Sequence, residues 1–325
     1  MQPKPIIKWV GGKTQIIDKL LSYFPEVMNN YHEPFLGGGS VLFALLSYVK
    51  DGRITLHGNI YAYDINEPLI YMYKNIQSDH GAFYREIRGI ISEFYECGTN
   101  RSNASGSRDN EEGTSGRYKP EKPRVPLTKS EAKTSRESYY YWIRSEYNKL
   151  NDKKTLTASA MFLFLNKTCF RGLFRMGPNG FNVPYGHYTN PEVINWTHLE
   201  EIHELIQPVR FECCDFRESL SRVGLCDFVY LDPPYVPEKA TSFVGYTENG
   251  FSAEQHQDLF QCIHELPVKG IRFVLSNADV PLVRESFASD VYMIMPMLCK
   301  RAINSKNPNA KAGELLIRGS ASLAP

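Results

Sequence analysis

The chain has 325 residues, of which 42% are hydrophobic and 13% aromatic, which is enough for a packed globular core. Its formal net charge of +1 does not indicate a dedicated polyanion-binding protein, so any nucleic-acid site has to be local. The first nine residues carry two lysines and two prolines with no apolar run after them, so we expect no signal peptide or spanning helix and a cytoplasmic protein.

Apolar periodicity predicts alternating helices and strands. In chain order we expect a helix ending at 20–24, a strand at 31–36, a helix at 40–49, a strand at 60–63, helices at 83–94 and 139–150, a strand at 227–231, a helix at 253–264 capped by Ser252, and a strand at 271–275. Such alternation predicts an α/β fold with a largely parallel sheet covered on both faces. Residues 291–295 and 315–318 are predicted to close it as an antiparallel edge hairpin.

The strongest shift in composition covers residues 97–137. Ser, Gly, Asn, Pro and mixed charges replace almost every large apolar residue there, which predicts a disordered or loosely held insertion. It holds nine Lys and Arg against six Asp and Glu, so weak phosphate binding is an alternative to an inert linker. We expect its deletion to leave the choice of target unchanged.

The seven cysteines are scattered without a Cys-x-x-Cys pair, so we expect reduced thiols and no metal site.

A glycine-rich turn, residues 35–40 (Phe-Leu-Gly-Gly-Gly-Ser), lies between a predicted strand and a predicted helix. Glycines such as Gly37 and Gly39 allow a tight turn and a close approach of the backbone to a ligand. Asp64 ends the next strand, where nucleotide-binding sheets place an acid for ribose hydroxyls. Together they favour a nucleotide-type pocket over a purely structural turn. No Gly-Lys-Ser/Thr follows, so a phosphate loop for ATP is disfavoured.

A second cluster, residues 9–13 (Trp-Val-Gly-Gly-Lys), combines an aromatic ring, a glycine turn and a cation. Trp9 and Lys13 could surround an adenosine or the carboxylate of a methionine. The alternative is that the segment only begins a helix.

The catalytic candidate is the run Asp232-Pro233-Pro234-Tyr235, which follows a buried predicted strand. Two prolines fix the backbone at the carboxyl end of that strand, where parallel sheets bind ligands. An amino group on an aromatic ring is a poor nucleophile, but Asp232 and the Pro233 carbonyl can accept its two N–H bonds and aim its lone pair. Tyr235 suits stacking against a base flipped out of a duplex. The alternative is a solvent-exposed turn.

Two stretches could contact nucleic acid, residues 167–175 and 300–311. Arg171 and Arg175 lie among aromatic residues in the first, and Arg301 and Lys306 lie in the second. For each, the alternative is a solvated charged face.

These motifs resemble the Dam-like family of N6-adenine DNA methyltransferases, in the alpha-class order of cofactor motif, target-recognition region and catalytic motif. The resemblance spans most of the chain outside the insertion and includes Tyr-rich 140–148, 164–166, 172–175, 181–186 and Ser276-Asn277. It implies a Rossmann-like sheet that binds S-adenosyl-L-methionine, with an inserted, mostly helical target-recognition domain. The implied division is 1–75 and 192–325 for the catalytic domain and 76–191 for target recognition.

The resemblance also implies roles for individual residues. Expected cofactor contacts are Trp9, Lys13, Phe35, Gly37, Gly39, Asp64 and Asp232. Expected contacts to double-stranded DNA are Lys8, Arg171, Leu173, Arg175, Asn182, Pro184, Tyr188 and Arg301. Lys8 and residues 300–311 are expected on phosphates, and Leu173, Arg175, Asn182, Pro184 and Tyr188 on the target sequence.

Two departures affect the expected target sequence. Arg171 stands where relatives often have Asn, and residues 175–182 differ in length from the enterobacterial pattern. GATC is the first expectation, and GATATC-type palindromes are alternatives. Other possibilities are methylation of RNA adenine or of protein glutamine, for which Asn-Pro-Pro-Tyr is usual, and a catalytically silent DNA-binding homologue. A cognate restriction endonuclease is a further possible partner.

Overall fold

The structure, a computed structural model, describes residues 3–98, 125–237, 251–300 and 311–319. The strands are β1 (Val27–Met28), β2 (Tyr31–Glu33), β3 (Thr55–Leu56), β4 (Ile60–Asp64), β5 (Met176–Gly177), β6 (Gly180–Phe181), β7 (Val209–Cys213), β8 (Phe228–Leu231), β9 (Arg272–Ala278), β10 (Tyr292–Lys300) and β11 (Lys311–Gly319). The helices are α1 (Ile17–Leu21), α2 (Ser40–Lys50), α3 (Glu67–Glu96), α4 (Lys129–Ala132), α5 (Arg136–Lys149), α6 (Leu156–Thr168), α7 (Trp196–Leu205), α8 (Phe216–Ser221), α9 (Ala253–Val268) and α10 (Pro281–Ser286).

The main sheet has seven strands in the order β10-β11-β9-β8-β2-β4-β7. The five strands from β9 to β7 are parallel, and β11 is antiparallel to both β9 and β10. This confirms the α/β fold, the parallel sheet and the antiparallel edge hairpin that the sequence predicts.

Strand β8 shows that both faces of the sheet are covered. Phe228 and Tyr230 point into one apolar cluster with α2, α3 and α6, whereas Val229 and Leu231 point into a second cluster with α9. All four are buried, which explains the continuous apolar run before the catalytic candidate.

Most predicted elements are present with small shifts at their ends. Strand β2 is shorter than residues 31–36 because Pro34 follows Glu33. Helix α1 ends at Leu21, whereas the predicted helix continues to Phe24. Ser252 caps α9 in a reciprocal arrangement with Gln255, as expected for a helix start there.

The helices between β4 and β7 pack together. Long α3 is interrupted at Asp79, whose carboxylate accepts from the Ala82 N–H at 2.8 Å and so starts a new helical segment. The second segment contains the predicted helix 83–94. Helix α3 packs against α6, a helix that the sequence analysis did not predict.

The prediction that all of residues 97–137 is disordered is wrong for residues 125–137. Thr128 caps α4 by accepting from the Glu131 N–H, Ala132 is fully buried, and Lys129 Nζ lies 2.6 Å from Glu93 Oε1 on α3. One buried methyl group and a few polar anchors hold this part although large apolar residues are scarce. Residues 99–124 lie outside the described residues.

No helix within the described ranges combines the length and apolar character needed to cross a membrane.

Candidate functional site

The two predicted motifs lie at neighbouring strand ends. The glycine-rich turn follows β2 and the Asp-Pro-Pro-Tyr run follows β8, and these strands pair directly. From this pair the chain continues to β4 on one side and to β9 on the other. A crevice opens at the carboxyl edge where the strand order reverses in this way, which is the usual ligand site of such sheets.

The glycine-rich turn is tightly packed beneath Trp9. Gly37 has a φ of +50°, and a Cβ there would lie 2.9 Å from Trp9 Cδ1. Gly39 has a φ of +74° and caps α2, where a Cβ would lie 3.2 Å from the Phe43 ring. Both positions therefore require glycine, for conformation and for space.

Asp64 organises this turn from the end of β4. Its Oδ2 accepts from the Gly37 N–H at 3.0 Å and its Oδ1 from the Asn66 N–H at 2.9 Å. Burial raises the pKa of Asp64 to about 6, while these backbone N–H groups oppose the rise. Each oxygen keeps a lone pair for a further donor, so the expected contact to a hydroxyl remains a prediction.

Lys13 joins the N-terminal cluster to the catalytic candidate. Its Nζ lies 2.7 Å from Asp232 Oδ2 and donates to the Gly11 carbonyl at 2.7 Å. The Lys13 side chain is 4% exposed and that of Asp232 is 20% exposed. Burial raises the pKa of Asp232, and the charge of Lys13 opposes that rise. Lys13 thus contacts the carboxylate of the catalytic candidate, in addition to its expected place in the cofactor pocket.

The rest of the Asp-Pro-Pro-Tyr run is anchored from behind. Pro233 is buried, and the Tyr235 hydroxyl donates to Glu314 Oε2 at 3.0 Å. Lys13 Nζ lies 5.1 Å from the centre of the Tyr235 ring. Burial raises the pKa of Tyr235 well above its ordinary value, which keeps the hydroxyl protonated.

A buried carboxyl that the sequence reading missed lies beneath the site. Glu33, at the end of β2, is 2% exposed and accepts from the Tyr31 hydroxyl at 2.7 Å. Burial raises the pKa of Glu33 to about 8, and the negative charges of Asp232 and Asp64 add to this rise. An acidic residue at the end of a short strand, directly before a glycine-rich turn, was the available sequence signal.

Phe35 forms the wall of the crevice on the side of α8. Its ring centre lies 5.9 Å from that of Phe216 and 6.2 Å from that of Phe251. Trp9, which packs against Gly37 and Gly38, stacks on Phe174 with 5.8 Å between the ring centres. Aromatic side chains therefore lie next to the glycine turn.

The segment that carries Trp9 contacts the expected DNA-binding region. Its neighbour Lys8 is tied to Asn166, which accepts from the Lys8 N–H at 2.9 Å and donates to the Lys8 carbonyl at 2.8 Å and to the Gly172 carbonyl at 3.1 Å. Lys8 Nζ lies 4.2 Å from the centre of the Tyr188 ring. Asn166 therefore fixes the cofactor-side segment against the loop that carries Arg171.

Arg175 and Asn182 are paired across the small β5–β6 hairpin. The Arg175 Nε donates to Asn182 Oδ1 at 2.6 Å, and its Nη2 donates to the Asn182 carbonyl at 3.3 Å. Both residues are exposed, as is Pro184, whose carbonyl accepts from the Phe170 N–H at 2.8 Å. Leu173 is half-buried behind them.

Of the expected DNA contacts, all but one fall in this region. The remaining one, Arg301, lies outside the described residues, as does most of the 300–311 stretch. Lys167 is half-buried, and burial together with the nearby charge of Lys8 lowers its pKa to about 8. Within this stretch Lys167 is therefore partly withdrawn from solvent, whereas Arg171 and Arg175 are exposed.

A family model decides the identity of the chain. The model of the D12 class N6 adenine-specific DNA methyltransferases matches residues 9–303, which include every motif described above. The chain belongs to this family. Membership confirms the predicted resemblance and the activity of an adenine-specific DNA methyltransferase, and it disfavours RNA adenine, protein glutamine and the silent homologue.

Relatives of this D12 methyltransferase are similar over nearly their whole length. Type II methyltransferase M.MjaIII of Methanocaldococcus jannaschii is 33% identical, with 98% of this chain and 99% of the relative aligned. Type II methyltransferase M1.LlaDCHI of Lactococcus lactis is 29% identical over 87% and 84% of the two chains. The DNA adenine methylase of Escherichia coli K12 is 26% identical over 97% and 94%.

Methyltransferases of this kind generally use S-adenosylmethionine, and the crevice of this D12 enzyme has suitable chemistry for it. The glycines of the turn place no side chain against Trp9, and the aromatic rings of Trp9 and Phe35 lie next to the turn. The Asp64 carboxylate can accept from hydroxyl groups. These residues fit a nucleoside with a charged amino-acid tail.

Proposed function

We propose that this enzyme transfers the methyl group of S-adenosyl-L-methionine to N6 of an adenine that it flips out of a short double-stranded recognition sequence. The observation that carries the proposal is the 2.7 Å contact between Lys13 and Asp232. This contact joins the expected cofactor-binding segment, residues 9–13, to Asp232, the proposed hydrogen-bond acceptor of the adenine amino group. Both substrates would thereby meet with little freedom of orientation.

The cofactor, when bound, supplies a methyl group already activated by a positive sulfur. The residues proposed to hold it are Trp9, Lys13, Phe35, Gly37, Gly39, Asp64 and Asp232. Because the methyl group needs no further activation, alignment supplies most of the catalytic effect, for which roughly 7–11 kcal/mol is available.

On the adenine side, Asp232 accepts one N6 N–H and the Pro233 carbonyl accepts the other. This draws the lone pair of N6 out of the ring and toward the methyl group. Once the N–C bond has formed, N6 must lose a proton, and the raised pKa of Asp232 makes this carboxylate a better acceptor than a free aspartate. Tyr235 stacks on the flipped base, offsetting a few kcal/mol of flipping cost by about 1–3 kcal/mol.

Recognition is assigned to residues 76–191 as an inserted target-recognition domain within a catalytic domain formed by 1–75 and 192–325. Arg175 can bond guanine O6 and N7 together, and Leu173 or Pro184 can touch a thymine methyl. GATC is our first proposal for the target, with other short palindromes as alternatives because of Arg171. Similarity to two enzymes named type II methyltransferases supports a role in restriction-modification beside a cognate endonuclease.

The test is methyl transfer from labelled S-adenosylmethionine to matched substrates. We expect label in duplex DNA, as N6-methyladenine, and none in RNA or protein of the same preparation. Duplexes that differ only in carrying GATC, GATATC or a shuffled site identify the target. Transfer to RNA alone, or equal transfer to shuffled duplexes, would contradict the proposal.

A further inference from the structure

Two successive residues after the prolines are held by side chains from another part of the sheet. The Tyr235 hydroxyl donates to Glu314 Oε2 at 3.0 Å, and the Val236 N–H donates to Asn277 Oδ1 at 3.1 Å. Asn277 Oδ1 also accepts from the Ala278 N–H at 2.8 Å. The end of the catalytic run is thus fixed at a side chain and at the backbone.

The register of the sheet explains why both anchors reach the same place. Asn277, the residue before the last of β9, pairs with Leu315 of β11, and Glu314 pairs with Ala278, the last residue of β9. Asn277 is fully buried, and two N–H groups donating to its Oδ1 set the orientation of its amide. Neighbouring strands therefore present two rigidly placed acceptors to the turn.

The prolines alone do not fix the Tyr235 ring. They restrict the backbone, but the ring can still rotate about Cα–Cβ and Cβ–Cγ. The contact to Glu314 is made at the far end of the ring, so rotation about Cα–Cβ breaks it. Lys13, 5.1 Å from the ring centre, and the Asp232 carboxylate are further charged groups near it.

We propose that Glu314 is a positioning residue that fixes the rotation of the Tyr235 side chain about Cα–Cβ, and with it the place of the ring on which the flipped adenine stacks, while Asn277 fixes the backbone next to it. Glu314 acts through Tyr235 and does not touch the adenine. The inference rests on the proposed function, since it presumes that a flipped base stacks on Tyr235. It assigns a role to a residue 79 positions away in sequence.

The test is a double-mutant cycle between the two side chains. Glu314→Ala removes the acceptor, Tyr235→Phe removes only the hydroxyl, and each should lower the single-turnover rate constant by about 10- to 100-fold, the range for a lost hydrogen bond to a charged group. The double variant should be no slower than the slower single variant. KM for S-adenosylmethionine and Kd for DNA should change by less than about threefold.

Two further variants separate positioning from loss of structure. Glu314→Gln keeps an acceptor oxygen and should recover most of the rate that Glu314→Ala loses. Glu285→Ala removes an exposed glutamate of α10 and should leave the rate unchanged. If Glu314→Ala does not fold, Glu314→Met, which also lacks an acceptor but keeps the bulk of the side chain, replaces it, and its effect on the rate should disappear when the hydroxyl is absent.

The inference would be overturned if the rate losses of the two single variants multiplied in the double variant. It would also be overturned if the rate of Glu314→Ala stayed within twofold of wild type. The proposed function is checked separately in the wild type, using a duplex with 2-aminopurine at the target adenine. An increase in its fluorescence on binding reports flipping. Flipping and transfer by the wild type with independent single effects would reject only the role of Glu314, whereas no flipping would reject the proposed function.

Discussion

Lys13 Nζ lies 2.7 Å from Asp232 Oδ2, joining two residues 219 positions apart in the chain. The Lys13 backbone N–H also donates to Ser40 Oγ at 3.2 Å, at the start of the helix that follows the glycine turn. One lysine thereby connects three motifs that the sequence presents separately. Burial alone would favour the protonated form of Asp232, and the charge of Lys13 opposes this. The ion pair also holds the carboxylate in position for an amino group.

Replacing Lys13 with Met should therefore lower kcat by about 100-fold or more, since removing one preorganised electrostatic group from a catalytic site typically costs about 100- to 1,000-fold in kcat. Without the cation the pKa of Asp232 rises further, so the acid limb of the pH profile of kcat/KM should move to higher pH. Lys19→Met, at an exposed lysine of α1, is the control. An unshifted acid limb would show that Lys13 does not act on Asp232.

Asp232→Ala should abolish methyl transfer while DNA binding persists, because in the proposed mechanism the carboxylate contacts the base only after flipping and the phosphate contacts lie elsewhere. We expect a loss of at least about 1,000-fold in the single-turnover rate, in the range seen when a key electrostatic group is removed. Kd for duplex DNA, measured by fluorescence anisotropy, should stay within about threefold. Near-normal turnover would mean that the assigned role is wrong.

Gly37→Ala should raise KM for S-adenosylmethionine by about 10-fold or more, because its Cβ would lie 2.9 Å from Trp9 in a backbone region that already disfavours alanine. Gly52→Ala is a matched control, since Gly52 has a similar φ of +69° but nothing within 4 Å of the added Cβ. Both variants carry the same type of backbone strain. Equal effects on KM would exclude a specific role of the turn in cofactor binding.

Arg175→Ala should weaken the choice between the correct and a substituted base pair by about 5- to 150-fold, as expected for loss of a bidentate contact. Lys8→Ala should instead weaken binding to all sequences alike. It should also reduce the slope of the logarithm of the binding constant against the logarithm of salt concentration by about one. Competition between duplexes with single base-pair substitutions measures both. If Arg175→Ala weakened all sequences alike, it would be a phosphate contact.

The buried carboxyl of Glu33 should make stability depend on pH. Its pKa in the folded protein is about 8, above the value of 4.5 for an exposed glutamate, so the folded state retains the proton. The stability it provides is complete below pH 4.5 and is lost as the pH rises toward 8. Wild-type Tm should fall over this interval relative to Glu33→Gln, and Glu26→Gln, at an exposed site, should follow the wild type. Parallel curves for the wild type and Glu33→Gln would contradict the assignment.

The sequence predicted those parts of the site that lie within one local segment. The glycine turn and the Asp-Pro-Pro-Tyr run each follow a strand with a clear apolar pattern, and the parallel sheet then brings their ends together. Glu314 and Asn277 could not be assigned this way, since their contacts depend on the register between β9 and β11. Pairing register is set by tertiary packing and by turn geometry.

The errors have the same physical origin. Helix α4 was expected to be disordered because its composition is polar, yet its ion pair with Glu93 and the burial of Ala132 are tertiary contacts that composition does not show. Glu33 was overlooked because a charged residue in a strand reads as exposed, whereas this one is buried with a hydrogen bond from Tyr31.

The most direct test of the central claim is methylation-aware sequencing of DNA from cells that express the wild type or Asp232→Ala in a host without adenine methylation. We expect N6-methyladenine at one short palindromic sequence in the first sample and none in the second. Methylated adenines without a shared sequence, or the same pattern from both proteins, would contradict the account.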